Sequence, residues 1–265
     1  MMASIETRGL TRRFGAVTAV DHVDLTVRAQ EMFALLGPNG AGKTTTIKML
    51  ITLLPPSEGS ARVADYDVIA DAAQVRRSIG YVPQLVSADG ALTGMQNLRL
   101  SARLYHLPRA DREARIHAAL RFMGLEDAAD RLVRTYSGGM IRRLELAQAM
   151  LHRPAVLFLD EPTVGLDPIA RAAVWEHVRR LRDEQGATIL LTTHYMEEAD
   201  ELCDRIAIML GGRVVATGTP SELKAEVGPN ATLDDAFARI AGPAAETGGT
   251  YRDVTRTRRT ARRLG

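Results

Sequence analysis

Cysteine, lysine and long apolar runs are the scarce features of this 265-residue sequence. Cys203 is its single cysteine, so a disulfide framework is excluded and the chemistry needs no oxidising compartment. The longest apolar runs, such as residues 155–159 and 206–210, have the length of strands, far below the about 18 residues of a membrane-spanning helix. The first residues show no basic segment followed by an apolar one, so we expect no signal peptide. If the protein works at a membrane, another chain supplies the spanning part.

The overall composition is that of an ordinary globular protein, with 46% hydrophobic and 25% charged residues. Its length suits one large domain or two tightly packed lobes. The formal net charge is only +2, so we expect no nucleic acid partner. Residues 251–265 contain six arginines and a single acid, and this pattern predicts a basic, disordered tail.

Lysine is rare enough for its placement to be informative, because the chain holds only Lys43, Lys48 and Lys224. One of them falls in the phosphate-binding pattern G-x-x-x-x-G-K-[ST]. The stretch that matches it consists of Gly37, Pro38, Asn39, Gly40, Ala41, Gly42, Lys43, Thr44 and Thr45. A short apolar run precedes this stretch and a helical pattern follows it, which is the arrangement that aims backbone N–H groups at phosphates. We therefore predict that Lys43 binds the outer phosphates and that the Thr44 hydroxyl ligates Mg²⁺.

The order of patterns along the chain predicts an α/β fold with a P-loop NTPase core and a mixed sheet. Residues 5–36 read as an antiparallel β lead-in, and residues from about 85 to 152 read as an inserted all-helical subdomain. Buried-strand patterns resume afterwards and continue to about residue 220. We expect one ATP-binding domain over residues 1–220 and a short helical extension over residues 221–250.

Two further segments carry chemistry. Asp160 and Glu161 follow an apolar strand, where one carboxylate can hold a magnesium shell and its neighbour can activate water. Ser137, Gly138 and Gly139 open a helix and form a second place for an anion, although taken alone they indicate only a good N-cap. Two anion-binding helix starts in one chain require an explanation.

The order of these motifs strongly resembles the nucleotide-binding subunits of ABC transporters, from about residue 4 to residue 220. Gly37–Thr45 matches the Walker A loop, and Tyr136-Ser137-Gly138-Gly139-Met140 stands where that family has its Leu-Ser-Gly-Gly-Gln signature. Gln84, Asp160, Asp167 and His194 stand at the positions of the Q-loop, Walker B, D-loop and switch histidine. The altered flanks of the signature, the residues after His194 and Leu233-Asp234-Asp235-Ala236-Phe237 resemble the drug and antibiotic exporter branch, including daunorubicin-resistance ATPases.

The resemblance implies an ATPase that couples ATP hydrolysis to transport across a membrane. Glu161 would be the general base, His194 would contact the γ-phosphate, and Gln84 would join Thr44 and Asp160 around Mg²⁺. Phe14, in a turn, would stack on adenine; from the residues alone it could equally cover the edge of a sheet. Ser137 and Gly139 of one copy would cover the ATP held by the other in a head-to-tail homodimer or a dimer with a paralogous subunit. Gly138 and Asp167 would also belong to the nucleotide-binding residues.

The same resemblance implies separately encoded permease chains and a peripheral position on the cytoplasmic face of the cell membrane. Two alternatives stay open at this point. A soluble ABC ATPase acting in cofactor assembly, DNA repair or translation would carry the same motifs. A P-loop GTPase would share the phosphate loop, but the sequence has no Asn-Lys-x-Asp guanine pattern.

Overall fold

The computed structural model describes residues 3–242, and the predicted tail at 251–265 lies outside them. The described residues form ten strands, and these are β1 Ala3–Phe14, β2 Val17–Arg28, β3 Met32–Leu36, β4 Glu58–Val63, β5 Tyr66–Asp67, β6 Ile79–Val82, β7 Val156–Asp160, β8 Thr188–Thr193, β9 Arg205–Leu210 and β10 Arg213–Gly218. The α-helices of the same part are α1 Lys43–Leu50, α2 Ala72–Ser78, α3 Gly94–Leu104, α4 Arg112–Phe122, α5 Gly138–Met150, α6 Pro168–Gln185, α7 Met196–Leu202, α8 Pro220–Ala225 and α9 Leu233–Ala241.

Two sheets organise the first of two compact units, which spans Met1–Pro220. The first sheet is antiparallel, in the order β2-β1-β4-β5. The second has the order β10-β9-β3-β8-β7-β6 and is parallel except for the hairpin of β9 and β10. The predicted mixed sheet of a P-loop NTPase core is therefore confirmed.

One boundary of the sequence prediction is wrong. The lead-in was expected to extend to residue 36, but the antiparallel pairing of β1 and β2 ends at Arg28. Strand β3 instead pairs in parallel with β8 and β9. All five residues of β3 are buried, which is the state of a central strand covered on both faces. The change from alternating to continuous burial marks the real boundary.

The helices begin and end where local chemistry favours it. Thr93 and Gln96 form a reciprocal capping box at the start of α3. Asp167 accepts two backbone hydrogen bonds at the start of α6, Pro168 follows it, and Gly186 ends the helix with a φ of 67°. Helices α3, α4 and α5 follow one another between β6 and β7, so the chain leaves the core sheet after Val82 and returns at Val156.

The second compact unit begins at Ser221. Within it, Thr232 caps α9 through a capping box with Asp235, and Leu233, Ala236 and Phe237 are buried. This is the Leu-Asp-Asp-Ala-Phe segment singled out in the sequence, and its apolar members share one face of a helix.

Candidate nucleotide site

The phosphate loop lies between the end of β3 and the start of α1, and its glycines have different tasks. A Cβ atom on Gly37 would lie 2.2 Å from the Met209 carbonyl oxygen, and one on Gly42 would lie 2.5 Å from the Ala19 carbonyl oxygen. These two glycines therefore let the loop pack closely against its neighbours. Gly40 has a φ of +81° with open space around it, so its role is to shape the turn while leaving its N–H accessible.

Lys43 is buried beneath the loop, with a side chain only 4% exposed. Its ammonium donates hydrogen bonds to the carbonyl oxygens of Gly37 at 2.7 Å and Pro38 at 3.0 Å, and it lies 3.4 Å from Oε1 of Glu161. Burial lowers the pKa of Lys43, and the charge of Glu161 opposes that shift. The loop thus holds a cation at its centre, as the binding of an outer phosphate requires.

A group of oxygen atoms meets at the end of β7. Thr44 Oγ1 donates to Asp160 Oδ1 at 3.0 Å, and Thr192 Oγ1 donates to the same oxygen at 2.6 Å. Hydroxyl and carboxylate oxygens are the ligands that Mg²⁺ prefers. Among the described residues no cluster of three or more Asp, Glu, His or Cys could hold a metal. Thr44 and Asp160 thus fit a magnesium ion that takes its remaining ligands from phosphate oxygens and water.

Glu161 is held in an unusual conformation, with a φ of +48°. Its amide donates to the Thr192 carbonyl oxygen at 3.1 Å and to Thr192 Oγ1 at 3.0 Å, which fixes this left-handed turn. A non-glycine residue in this region costs on the order of 1–3 kcal/mol, and such residues concentrate at functional sites. The strain places the carboxylate of Glu161 beside the phosphate loop.

Three side chains surround that carboxylate. Gln84 Nε2 donates to Oε2 at 3.2 Å, His194 Nδ1 lies 3.2 Å from Oε1, and the Lys43 ammonium completes the set. Burial alone would raise the pKa of Glu161, but the hydrogen bond with His194 and the charge of Lys43 outweigh it and lower that pKa. Glu161 is therefore ionised at neutral pH, which is the form that accepts a proton.

An open cavity of about 460 Å³ lies against Lys43, Gln84 and Glu161. Its walls are formed by Ala19, Asn39, Gly40, Ala41, Gly42, Lys43, Thr44, Thr45, Gln84 and Glu161. A volume of this size suits a small ligand, and the wall presents loop N–H groups and one cation. The residues present fit a phosphate chain with its magnesium ion.

The other predicted residues lie outside this wall. Ser137 is exposed and caps α5 by accepting from the Met140 amide at 3.3 Å. A Cβ atom on Gly138 would lie 3.0 Å from a methyl group of Leu166, and one on Gly139 would lie 3.0 Å from the Cβ atom of Ala170. Leu166 and Ala170 flank the exposed Asp167, so Ser137, Gly138, Gly139 and Asp167 form a second cluster where α5 and α6 begin.

Phe14 lies at the end of β1 with 45% of its surface exposed, and the Arg12 guanidinium lies 4.6 Å from the centre of its ring. Its pairing partner on β2 is Val17, two residues before Ala19 of the cavity wall. An exposed ring at this end of the antiparallel sheet can stack on a planar base.

Sequence reasoning missed several residues that organise the site. Thr192 contacts both Asp160 and Glu161, and the Thr193 carbonyl oxygen accepts from the amide of Gly37. Glu198, with no exposed surface, accepts from Thr163 Oγ1 at 2.7 Å and from Trp175 Nε1 at 2.9 Å. Two adjacent threonines at the end of an apolar strand were the available signal for the first pair.

The fold and this site define a phosphate-loop nucleotide hydrolase. The chain belongs to the ABC transporter family, whose model matches residues 20–164. It is 49% identical over 239 residues to the daunorubicin/doxorubicin resistance ATP-binding protein DrrA of Streptomyces peucetius, covering 89% of this chain and 72% of that protein. The predicted membership, including its daunorubicin-resistance branch, is confirmed.

Solved structures agree. The ATP-binding subunit of an ABC transporter superposes with a TM-score of 0.80 at 33% identity, covering 90% of this chain and 99% of that one. A dimeric ATP-binding cassette bound to ADP and phosphate shares the fold, with a TM-score of 0.72 at 24% identity over 81% of this chain and 98% of that one. The chain is therefore an ATP-binding and ATP-hydrolysing subunit that uses Mg²⁺. Neither the soluble alternative nor the GTPase alternative gains support.

Over residues 3–242, no helix has the length and apolar character to cross a membrane.

Proposed function

We propose that this chain powers a membrane exporter of drug-like, antibiotic or lipid-like compounds from the cytoplasmic face of the membrane. The similarity to an ATP-binding protein named for resistance to daunorubicin and doxorubicin supports the export of such compounds. The observation that carries the mechanism is the separation of two clusters. The walls of the Lys43 cavity, as far as the chain is described, include none of Ser137, Gly138, Gly139 and Asp167.

Within one copy, the residues around the cavity have distinct tasks. Lys43 and the loop N–H groups bind the outer phosphates. Thr44, Asp160 and Gln84 would hold the magnesium ion directly or through water, and this ion would neutralise charge on the phosphates. Glu161 accepts a proton from the water that attacks the γ-phosphorus, and His194, at 3.2 Å from Glu161, contacts the γ-phosphate. Phe14 stacks on the adenine.

Between copies, the second cluster completes the site. In a head-to-tail dimer, Ser137 and the N–H groups of Gly138 and Gly139 cover the nucleotide held by Lys43 of the other copy. Asp167 of the same cluster lies beside that contact. The dimeric state of a solved ATP-binding cassette with the same fold supports the pairing of two copies. ATP then joins the two copies, and hydrolysis releases them.

A permease docking surface lies next to Gln84. Leu85 and Val86 follow it with 82% and 61% of their surfaces exposed, and Leu104 at the end of α3 is 68% exposed. Leu104 also lines an open groove of about 360 Å³ with Tyr81, Ser87, Ser101, Tyr105, Glu145, Gln148 and Ala149. Exposed apolar surface can mark an interaction site, and Leu104 and Tyr105 give this groove an exposed apolar rim. We assign the groove to a cytoplasmic segment of the separately encoded permease.

Substituting Glu161→Gln tests the proposed chemistry. The amide keeps the shape of the side chain but cannot accept the proton, so turnover should fall about a hundredfold or more. ATP should still bind, and the variant should form an ATP-dependent dimer on gel filtration. Glu113→Gln, at an exposed ion pair with Arg99, is the matched control and should behave like the parent. Unchanged turnover in Glu161→Gln would refute the assignment of Glu161 as the general base.

The docking surface has its own test. Affinity purification from detergent-solubilised membranes should recover a polytopic membrane chain together with this subunit. Leu104→Asp should reduce that recovery while leaving ATP binding intact, because Leu104 lies in the groove rather than in the nucleotide cavity. Ile69→Asp, at a comparably exposed apolar residue outside the groove, should not reduce it.

A further inference from the structure

Helix α5 holds the Gln84 segment through two buried charged residues one turn apart. Arg142 and Glu145 are 5% and 2% exposed, and Nη1 of Arg142 lies 2.9 Å from Oε2 of Glu145. Arg142 donates to the carbonyl oxygens of Pro83 at 2.7 Å and Gln84 at 3.1 Å. Glu145 Oε1 accepts from the amide of Ser87 at 2.5 Å and from its hydroxyl at 2.9 Å. Both ends of residues 83–87 are thus attached to one helix.

A buried ion pair such as this one is weak evidence for a role in stability. Burial lowers the pKa of Arg142, against the opposing charge of Glu145, so the pair is held at a desolvation cost. Replacing a buried ion pair by apolar side chains of similar volume is often neutral or stabilising by about 1–4 kcal/mol. Gln84 and Ser87 are themselves exposed, so water could satisfy their backbone groups. What the pair does secure is the position of the segment.

Residues 83–87 and helix α5 contribute to different nucleotide sites in the proposed dimer. Gln84 reaches the catalytic carboxylate of its own copy, with Nε2 3.2 Å from Glu161. Helix α5 is capped by Ser137, the residue assigned to the nucleotide of the other copy. From Gly138 to Arg142 the backbone is continuous helix, a rigid connection over little more than one turn.

We propose that Arg142 and Glu145 act as a clasp that transmits the position of the helix beginning at Ser137 to the Gln84 segment. Engagement of Ser137 with the other copy's nucleotide thereby sets the placement of Gln84 beside Glu161. This inference rests on the proposed head-to-tail dimer. Arg142 and Glu145 are positioning residues, because they act through the segment that they hold.

The test uses the full chain with both clasp residues replaced, Arg142→Met together with Glu145→Leu. This double variant should unfold at the same temperature as the parent or a higher one, since apolar side chains replace a buried ion pair. Amide exchange over residues 83–87 should become faster. ATP affinity of the monomer and KM should stay within about twofold of the parent, while kcat falls about tenfold or more, because a misplacement of about 1 Å can cost on the order of 100-fold.

Arg143→Met is the matched control. Arg143 lies on the same helix and donates to the Met123 carbonyl oxygen at 2.8 Å, outside the Gln84 segment. It should leave exchange at residues 83–87 and kcat at parental values. The single variants Arg142→Met and Glu145→Leu should each lose about as much kcat as the pair, because one clasp is broken in all three.

The outcomes separate the clasp from the dimer. Unchanged exchange at residues 83–87 in the double variant would overturn the clasp, whatever the activity. Faster exchange with parental kcat would overturn the transmission. Absence of an ATP-dependent dimer in Glu161→Gln with the clasp intact would instead refute the proposed function on which the inference rests. A stable double variant with faster exchange, low kcat and unchanged KM supports the transmission by Arg142 and Glu145. A pair with a purely structural role would not produce that combination.

Discussion

The helix starts at Lys43 and Ser137 both suit an anion, but the chain surrounds them very differently. Around Lys43 it provides its own carbonyl oxygens, a carboxylate within 3.4 Å and a wall of glycines packed against β2 and β9. Ser137 is exposed, and its described hydrogen bond is the cap of its own helix. The helix start at Lys43 therefore lines a pocket, whereas the start at Ser137 lies on the protein surface.

The difference shows why a helix N-terminus is not by itself a binding site. Both starts offer N–H groups and the positive end of a helix dipole. Of the two, the start at Lys43 adds a cation, a carboxylate and the oxygens of Thr44 and Asp160, which come from α1 and the end of β7. In the proposed head-to-tail dimer, Ser137 would gain equivalent surroundings from the other copy and its nucleotide.

Among the changes that test this comparison, we expect the removal of the Lys43 cation to have the largest effect, and that effect is on ATP affinity. Lys43→Ala should weaken ATP binding roughly tenfold to a hundredfold, since a hydrogen bond to a charged group contributes about 1.5–3 kcal/mol. Isothermal calorimetry measures the affinity. Lys48→Ala, in the last turn of the same helix, is the control and should bind ATP normally; wild-type affinity in Lys43→Ala would mean that the phosphate loop is misassigned.

A second prediction asks whether the Ser137 start serves the other copy. Lys43→Ala damages the site of its own copy, and Ser137→Arg should damage the site of its partner. In mixed dimers, placing the two changes in separate copies damages one composite site twice and leaves the other intact. Combining them in one copy opposite a parental copy damages both sites.

ATP hydrolysis by purified, differently tagged mixed dimers distinguishes the arrangements, with permease present if the subunit alone is silent. The separated arrangement should retain several times more activity than the combined one, provided that one intact site can turn over. More activity in the combined arrangement would show that Ser137 acts on its own chain's nucleotide, and the contrast between the two helix starts would fail.

The smallest expected effect concerns the buried contacts of Glu198 with Thr163 and Trp175. Burial raises the pKa of Glu198, against hydrogen bonds from Thr193, Thr163 and Trp175. The folded state therefore keeps a proton that the unfolded chain releases above about 4.5, so the free energy of unfolding should fall as the pH rises from there toward the raised folded pKa. Glu198→Gln carries no titrating proton and should flatten this dependence.

Denaturant unfolding followed by the fluorescence of Trp175, the single tryptophan, measures that dependence directly. Glu198→Ala should lose stability at every pH, because an unpaired buried donor costs about 1–3 kcal/mol. Glu201→Gln, at an exposed ion pair with Arg179, should change stability by less than about 1 kcal/mol. A parental slope in Glu198→Gln would contradict the raised pKa.

Much of the fold could be read from local chemistry. Asp167, Pro168 and Gly186 mark the ends of α6, and the capping box of Thr93 and Gln96 marks the start of α3, because such signals act within a few residues. The end of the lead-in was misplaced because alternation alone does not show which sheet a short apolar strand joins. Strand β3 was assigned to the antiparallel part, yet its partners β8 and β9 lie more than 150 residues away in sequence.

The sequence by itself determined the family and predicted the residues of the candidate site, because the phosphate loop is a contiguous motif and the other motifs follow it in a fixed order along the chain. Tertiary structure alone decided how those residues are arranged. It brought Thr192 onto Asp160, put Glu161 in a left-handed turn, and attached the Gln84 segment to Arg142 and Glu145. These contacts join positions up to 59 residues apart, and no local pattern encodes them because sequence spacing does not fix distance across a sheet or between helices.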